Sequence, residues 1–214
     1  MKDIPMFTTE YGVASLALRE VSYRQEAYIR IQTVLPGALE DLVKECVAFC
    51  RMVGAEKIYA AGCEELEQYP LHTAIVQMRG TAVVNPELVE NLFPVTEATV
   101  TRWRQICNER MQAVDCAATQ TARDEKEILN SGGAYFVHHN GELLGIGWLR
   151  EEEVLLVASV KPGMGERVMH SLMSVAEGAA LTLEVASTNR RAIRLYEKLG
   201  FVAFGEKQRW YRVY

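Results

Sequence analysis

Two stretches of this chain carry the same punctuation. Thr33-Val34-Leu35-Pro36-Gly37-Ala38-Leu39-Glu40 and Ser159-Val160-Lys161-Pro162-Gly163-Met164-Gly165-Glu166 align valine on valine, proline on proline, glycine on glycine and glutamate on glutamate. Each follows a β-type run, residues 28–33 and 154–159, and each precedes an amphipathic helical pattern. A similar triplet stands ahead of each run, Leu18-Arg19-Glu20 and Leu149-Arg150-Glu151. A strand closed by Pro-Gly and followed by a helix lays that helix back over a sheet. Its recurrence predicts two copies of a strand–turn–helix element. The chain therefore reads as two α/β parts, residues 1–85 and 86–214.

The periodicities between these marks fill in the order of elements. Leu39, Leu42, Val43, Cys46, Cys50 and Val53 recur at helical spacing, with Gly54 in the C′ position. Strands are expected at residues 57–60 and 73–78. Asn85-Pro86 reads as an N-cap with proline at N1, opening a short helix to about residue 91. Val100, Trp103, Cys107 and Met111 mark a helix, and Thr121-Ala122-Arg123-Asp124 resembles a capping box ahead of another that Gly132-Gly133 stops. Asn140-Gly141 between apolar runs 134–139 and 142–149 is a type I′ hairpin signal. A buried strand at 154–160, a helix from Gly163 to about Glu177, a strand at 181–186 and a helix at 189–199 follow. Two short strands, 201–204 and 209–213, end the order. These alternations predict an α/β chain built on a mixed sheet.

Composition excludes several classes. With 49% hydrophobic and 24% charged residues, the chain has the balance of a globular protein. No apolar run reaches the ~18 residues needed to span a bilayer. The opening Met1-Lys2-Asp3-Ile4-Pro5 lacks an apolar leader core. A net charge of −5 provides no general attraction for nucleic acid or an anionic membrane, so an anionic ligand would need a local site. The odd cysteine count, five, predicts reduced thiols and a cytoplasmic protein. Cys46 and Cys50, one helical turn apart, would need Cys63 and His72 to make a metal site. Without a second close-spaced ligand pair they read as small apolar core residues, and no metal is expected.

The chemistry concentrates after the second Pro-Gly. There a strand ends, glycines permit close approach of the backbone, and a helix start directs free N–H groups at the gap, an arrangement suited to phosphate. A tight turn alone would look the same. A dinucleotide site is disfavoured: Gly163-Met164-Gly165 lacks a third glycine, and no acidic residue at the expected distance completes that fingerprint.

The next segment, Thr182-Leu183-Glu184-Val185-Ala186-Ser187-Thr188-Asn189-Arg190-Arg191-Ala192-Ile193-Arg194-Leu195-Tyr196-Glu197-Lys198-Leu199-Gly200-Phe201, closely resembles the closing signature of the GNAT acetyltransferase superfamily. Asn189, Ala192, Leu195, Tyr196, Gly200 and Phe201 stand at the family spacing. Val160, Pro162, Gly163 and Gly165 stand where the family keeps its cofactor strand and pyrophosphate loop. The resemblance covers residues 90–214 in element order and 154–204 in motif. It implies a mixed, mostly antiparallel sheet flanked by helices. It also makes the first part a smaller, degenerate half-unit without a catalytic segment.

The resemblance further implies N-acetyl transfer from acetyl-CoA to an amine, by direct attack in a ternary complex. The acceptor would be a small-molecule or peptide amine. A non-catalytic acyl-CoA-binding module is the alternative, because the loop is about five residues shorter than usual and lacks the basic or amide side chain that precedes the glycines in the family. The resemblance implies that strand 154–160 parts from strand 181–186 and offers the pantetheine arm the exposed backbone from Val157 to Val160, with Val157, Ala158 and Val160 as contacts, then Gly163, Met164, Gly165, Glu166 and Arg167 at the loop, and Asn189. Tyr196 is the implied general acid, though an aromatic residue at this spacing is otherwise core. Glu153 is the candidate base, with Glu152 beside it and Glu184 on the next strand; a solvated hairpin edge is the plainer reading of residues 151–153. His138 and His139 flank the hairpin and read as solvent-facing, and His170 as structural. Arg190, Arg191, Arg194 and Lys198 form a basic stripe that suits either solvent or the adenosine 3′-phosphate. A homodimer is among the states that the sequence allows.

Overall fold

The computed structural model describes residues 3–214. Met1 and Lys2, which open the stretch examined for a leader, lie outside the described residues. The chain forms two compact units: Met1–Ile75 together with Glu206–Tyr214, and Val76–Gly205.

The first unit contains β1 (Ile4–Thr8), β2 (Gly12–Ala17), the single turn α1 (Val21–Arg24), β3 (Glu26–Val34), α2 (Leu39–Met52), β4 (Lys57–Ala61) and the start of β5 (Leu71–Thr81). β1, β2 and β3 pair antiparallel, and β3 pairs parallel with β4. Tyr211 and Arg212, from the end of the last strand β11 (Val202–Arg212), pair antiparallel with Ala60 and Tyr59. The α2 spacing does what the sequence predicts. Leu39, Leu42, Val43, Cys46 and Cys50 all turn inward, against Ala14, Leu16, Ile29, Ile31, Ile58 and Ala60. Burial of Leu42 alone contributes on the order of 2 kcal/mol. Burial also pushes the Cys46 and Cys50 thiols up to about 12 and about 11, where they stay protonated as apolar fillers.

The second unit contains the end of β5, β6 (Asn91–Pro94), α3 (Val100–Met111), α4 (Glu125–Ser131), β7 (Ala134–His139), β8 (Glu142–Arg150), β9 (Glu153–Ser159), α5 (Gly165–Met173), β10 (Ala180–Ala186), α6 (Arg190–Lys198) and the start of β11. Its strands lie in the order β5-β10-β9-β8-β7-β6. Neighbours from β6 to β9 are antiparallel, and β9–β10 is parallel. This is a mixed α+β fold with a mostly antiparallel sheet flanked by helices. Asn140 and Gly141 both take positive φ, 49° and 81°, as the type I′ hairpin requires. One face of the sheet carries α5 and α6, which close over Leu181, Leu183 and Val185 with Met169, Leu172, Tyr196 and Phe201. The other face of β7–β9 carries α3, where Trp103 and Ile106 meet Phe136, Ile146, Trp148 and Ala158.

The repeated octapeptide has a structural counterpart. β3-α2-β4 and β9-α5-β10 are both parallel strand–helix–strand elements, each with an antiparallel strand alongside. Their helices open at aligned positions, Leu39 and Gly165.

Several expectations are corrected. The two short terminal strands are one continuous strand, β11, exposed from Val202 to Lys207 and so without an apolar pattern. The helix expected after Asn85 is a single 3-10 turn, Pro86–Leu88, capped by the Asn85 side chain, and the chain then extends into β6. α5 begins at Gly165 and passes into a 3-10 turn at Ser174. Among the described residues, no helix is long and apolar enough to cross a membrane.

Candidate active site

The centre of the second unit is a fork. β9 and β10 pair only at Glu153–Thr182 and Val154–Leu183, although β9 continues to Ser159 and β10 to Ala186. The cause lies on the other edge of β9. Between Trp148–Leu156 and Leu149–Val154 the β8–β9 register shifts, leaving Leu155 as an extra residue. Such a bulge bends a strand and increases its twist, and it falls at the residue after the last β10 partner. Beyond it β9 stays zipped to β8 and leaves β10.

This gives β9 a free edge. The N–H of Val160 bonds to the Leu144 carbonyl at 2.8 Å, so Val160 faces β8. Strand alternation then turns Ala158 toward β8 as well and directs the backbone groups of Val157 and Ser159 into the gap. Of the strand residues expected from the sequence, Val157 therefore presents its backbone to the fork. Ala158 and Val160 spend theirs within the sheet, with Ala158 buried and Val160 packed against the α3 side. Ser159, inside the stretch from Val157 to Val160 that the resemblance implies, joins Val157 at the gap.

At the end of β9 the chain turns through Lys161–Met164 into α5. Gly163 takes φ +83°, a left-handed conformation that any side chain would strain. Met164 is the N-cap residue and provides no side-chain cap. The first intrahelical bond runs from the Val168 N–H to the Met164 carbonyl, so the N–H groups of Gly165, Glu166 and Arg167 point out of the helix start. That concentration of donors, with the helix dipole behind it, suits an anion.

The charged side chains around this turn have partners. Arg167 forms a close ion pair with Glu90, whose side chain is 6% exposed. His139 Nδ1 lies 2.7 Å from the other Glu90 oxygen. A buried carboxylate left alone would be costly, so Glu90 claims the guanidinium. Arg167 thus offers the helix start its backbone N–H. Glu166 accepts from Lys198 at 2.6 Å, which takes one member of the basic stripe; Arg194 donates to the Arg190 carbonyl at 3.2 Å. Lys161 forms a close pair with Glu142 and holds that carboxyl below its usual range. His170 accepts from the Asn85 N–H at 3.3 Å, and burial lowers its pKa. His138 is packed beside Phe93 at 5.1 Å, with its Nδ1 buried, which corrects the solvent-facing expectation.

On the far side of the fork, Asn189 caps α6 through the Ala192 N–H at 3.2 Å. Tyr196 lies one helical turn beyond Ala192, 8% exposed, in the same apolar cluster that Val157 packs against. Burial pushes its hydroxyl up to about 12, so it is protonated at neutral pH. Glu153 stands on the paired side of the fork, its carboxylate 3.2 Å from the Arg150 guanidinium. Among the described residues, no group of three or more His, Cys, Asp or Glu is placed to hold a metal ion.

The site thus sets a sheet opened at one parallel pair beside a glycine turn and a bare helix start. The family model of the Acetyltransferase (GNAT) family matches residues 99–201. The 5-NmdU N-acetyltransferase of Pseudomonas phage PaMx11 is 31% identical over 99 residues, 42% of this chain and 71% of that protein. The N-alpha-acetyltransferase RimI of Mycobacterium tuberculosis is 39% identical over 51 residues, 24% of this chain, and the match spans 32% of that relative's length. A protein from Pyrococcus horikoshii assigned as an acetyltransferase has a similar fold, with TM-score 0.57 and 14% identity over 94% of this chain and 68% of its own. A conserved Staphylococcus epidermidis protein of unassigned function also does, with TM-score 0.57 and 10% identity over 97% and 93%. The chain belongs to the GNAT acetyltransferase family.

Proposed function

We propose that this chain transfers the acetyl group of acetyl-CoA to the nitrogen of a primary amine, small-molecule or peptide, with both substrates bound together. The observation that carries the reading is the free edge of β9 after Val154, which leads directly to the open start of α5. The backbone of Val157 and Ser159 can pair with the pantetheine arm as an added strand would. Gly163, Gly165, Glu166 and Arg167 offer backbone N–H groups to the pyrophosphate, while Met164 gives its own to the Lys161 carbonyl at 3.4 Å. Asn189 spends its side-chain oxygen on Ala192 and keeps its amide N–H for the same arm. Both named relatives acetylate nitrogen, which favours an amine here. We take the enzyme to act in the cytoplasm, in keeping with its free cysteines.

In this reading the amine nitrogen attacks the thioester carbonyl carbon, a C–N bond forms and the C–S bond breaks. Tyr196 gives its proton to the departing sulfur and regains one from the nitrogen. The nitrogen keeps its other proton in the amide product; an acceptor that arrives as an ammonium ion first loses its extra proton through a carboxylate at the fork. Holding both reactants in line supplies much of the acceleration.

Thiol release from acetyl-CoA, followed over a panel of primary amines, tests the proposal. Amine-dependent release supports it. Acetyl-CoA-dependent stabilisation without release for any amine would leave a binding module in its place.

A further inference from the structure

Arg167 is the one cation in the first turn of α5, and its guanidinium is held toward the β6 edge of the sheet, on the side opposite β10. Its Nη1 donates to the Glu87 carbonyl at 3.4 Å and forms the close ion pair with Glu90 Oε1. Glu90 is itself fixed. His139 Nδ1 lies 2.7 Å from its Oε2, and its backbone N–H donates to Ser171 Oγ at 2.9 Å. That hydroxyl in turn donates to the Arg167 carbonyl at 2.7 Å. Arg167, His170 and Ser171 stand three and four residues apart on one face of α5, and residues 85–90 are laced along it, with the Asn85 N–H on His170.

The guanidinium is within reach of the helix start. In an α-helix the Cα–Cβ bond leans toward the N-terminus. From Arg167 back to Met164 the helix rises about 4.5 Å, less than the length of an extended arginine side chain. Freed from Glu90, the guanidinium would enter the space ahead of Gly165, where a diphosphate would meet the backbone N–H groups. Glu90 resists that exchange. Its side chain is 6% exposed, and a carboxylate so placed is costly without its cation. A diphosphate can take Arg167 only by leaving Glu90 to His139 alone.

We propose that Glu90 is an internal competitor of the acyl donor. It withholds Arg167 from the diphosphate, so the helix start binds through its backbone alone, and acetyl-CoA and the CoA left after transfer are both held loosely. The pair is an autoinhibitory contact built into the cofactor site. Removing the Glu90 charge turns Arg167 into a diphosphate ligand. The inference rests on the acetyltransferase reading above and names the contact that sets how readily spent CoA departs.

The test is a double-mutant cycle on the full chain: wild type, Glu90→Gln, Arg167→Ala and the double variant, each titrated calorimetrically with CoA, with acetyl-CoA and with pantetheine, which lacks the diphosphate. A charge-assisted bond to phosphate is among the stronger hydrogen bonds. Glu90→Gln should therefore bind CoA and acetyl-CoA at least about fivefold tighter, and the gain should vanish in the double variant, which strands neither member of the pair. Pantetheine affinity should stay within about twofold throughout, which a general loosening of the fold would not produce. Glu90→Asp draws the carboxylate back by one methylene and should show the same gain in smaller measure; it carries the comparison if Glu90→Gln does not fold. Unchanged or weaker CoA binding in the folded variant overturns the inference, as does a gain that survives in the double variant, and either result leaves the acetyltransferase reading standing. If wild type itself binds neither CoA nor acetyl-CoA, that reading falls and takes this inference with it.

Discussion

Val154 is the last residue of β9 to pair with β10, and its partner is Leu183. The bulge at Leu155 follows at once, and beyond that point lie the free edge at Val157 and Ser159, the turn at Gly163 and the phenol of Tyr196. In the first unit the equivalent pair of strands behaves differently. β3 and β4 stay paired through five positions, from Glu26–Lys57 to Arg30–Ala61. Gly62 then lies against Ile31, whose carbonyl oxygen would be 2.3 Å from a Cβ at that position. That edge is closed.

One acetyl-CoA site per chain follows from this contrast. Calorimetric titration of the full chain should give a stoichiometry of one. A stoichiometry of two would show that the first unit opens its strands to bind.

Tyr196→Phe removes the buried hydroxyl and leaves the ring in its cluster with Phe201, whose centroid is 6.2 Å away. Turnover should fall at least about tenfold, with the acetyl-CoA Kd changed less than about twofold. Wild-type turnover in this variant would remove Tyr196 from the proton path.

Much of this arrangement was legible in the sequence, and the parts that were not share a cause. The hairpin at Asn140-Gly141, the helix carried by Val100, Trp103 and Cys107, and the segment from Asn189 to Phe201 were read correctly because turn chemistry, period and spacing are local properties. β1 and β6 were missed because they are short strands with little burial, so no alternation marks them. β11 reads as two strands because Glu206, Lys207 and Gln208 look like a loop, whereas the strand runs unbroken through them. The fork is implied by the family resemblance and not by the run itself: residues 154–158 are uniformly apolar, and nothing in such a run says where a bulge falls or which edge stays free.

Arg167 was expected at the phosphate site, and its engagement with Glu90 makes a different prediction. Arg167→Ala should cost about 1–3 kcal/mol by leaving a buried carboxylate short of a partner. For a chain of this length that lowers the melting temperature by roughly 2–4 °C per kcal/mol. Acetyl-CoA affinity should drop less than about threefold, because the backbone N–H remains. A tenfold loss of affinity without a loss of stability would mean that the guanidinium leaves Glu90 for phosphate.

His170 sets a pH limit on stability. Its neutral Nδ1 accepts from the Asn85 N–H, and burial, then Lys198, holds its pKa below 6.5, against the opposing pull of Glu166. The unfolded chain therefore takes up this proton first as the pH falls. The contribution of His170 is complete above about pH 6.5 and is lost as the pH drops through the lower folded-state value. Urea midpoints measured between pH 7.5 and 5 should fall for the wild type and fall less steeply for His170→Gln. Parallel slopes in the two proteins would contradict this.

The most direct test of the central claim is a thermal-shift titration of the full chain with acetyl-CoA, with NAD as the control ligand. At about a hundredfold excess over Kd, binding adds roughly 2.7 kcal/mol of apparent stability. A saturable rise in melting temperature with acetyl-CoA, absent with NAD, is the result predicted for a pantetheine arm on the β9 edge and a diphosphate at the start of α5. No shift with acetyl-CoA at millimolar concentration would contradict it, and would mean that a fork with so short a loop no longer binds the acyl donor.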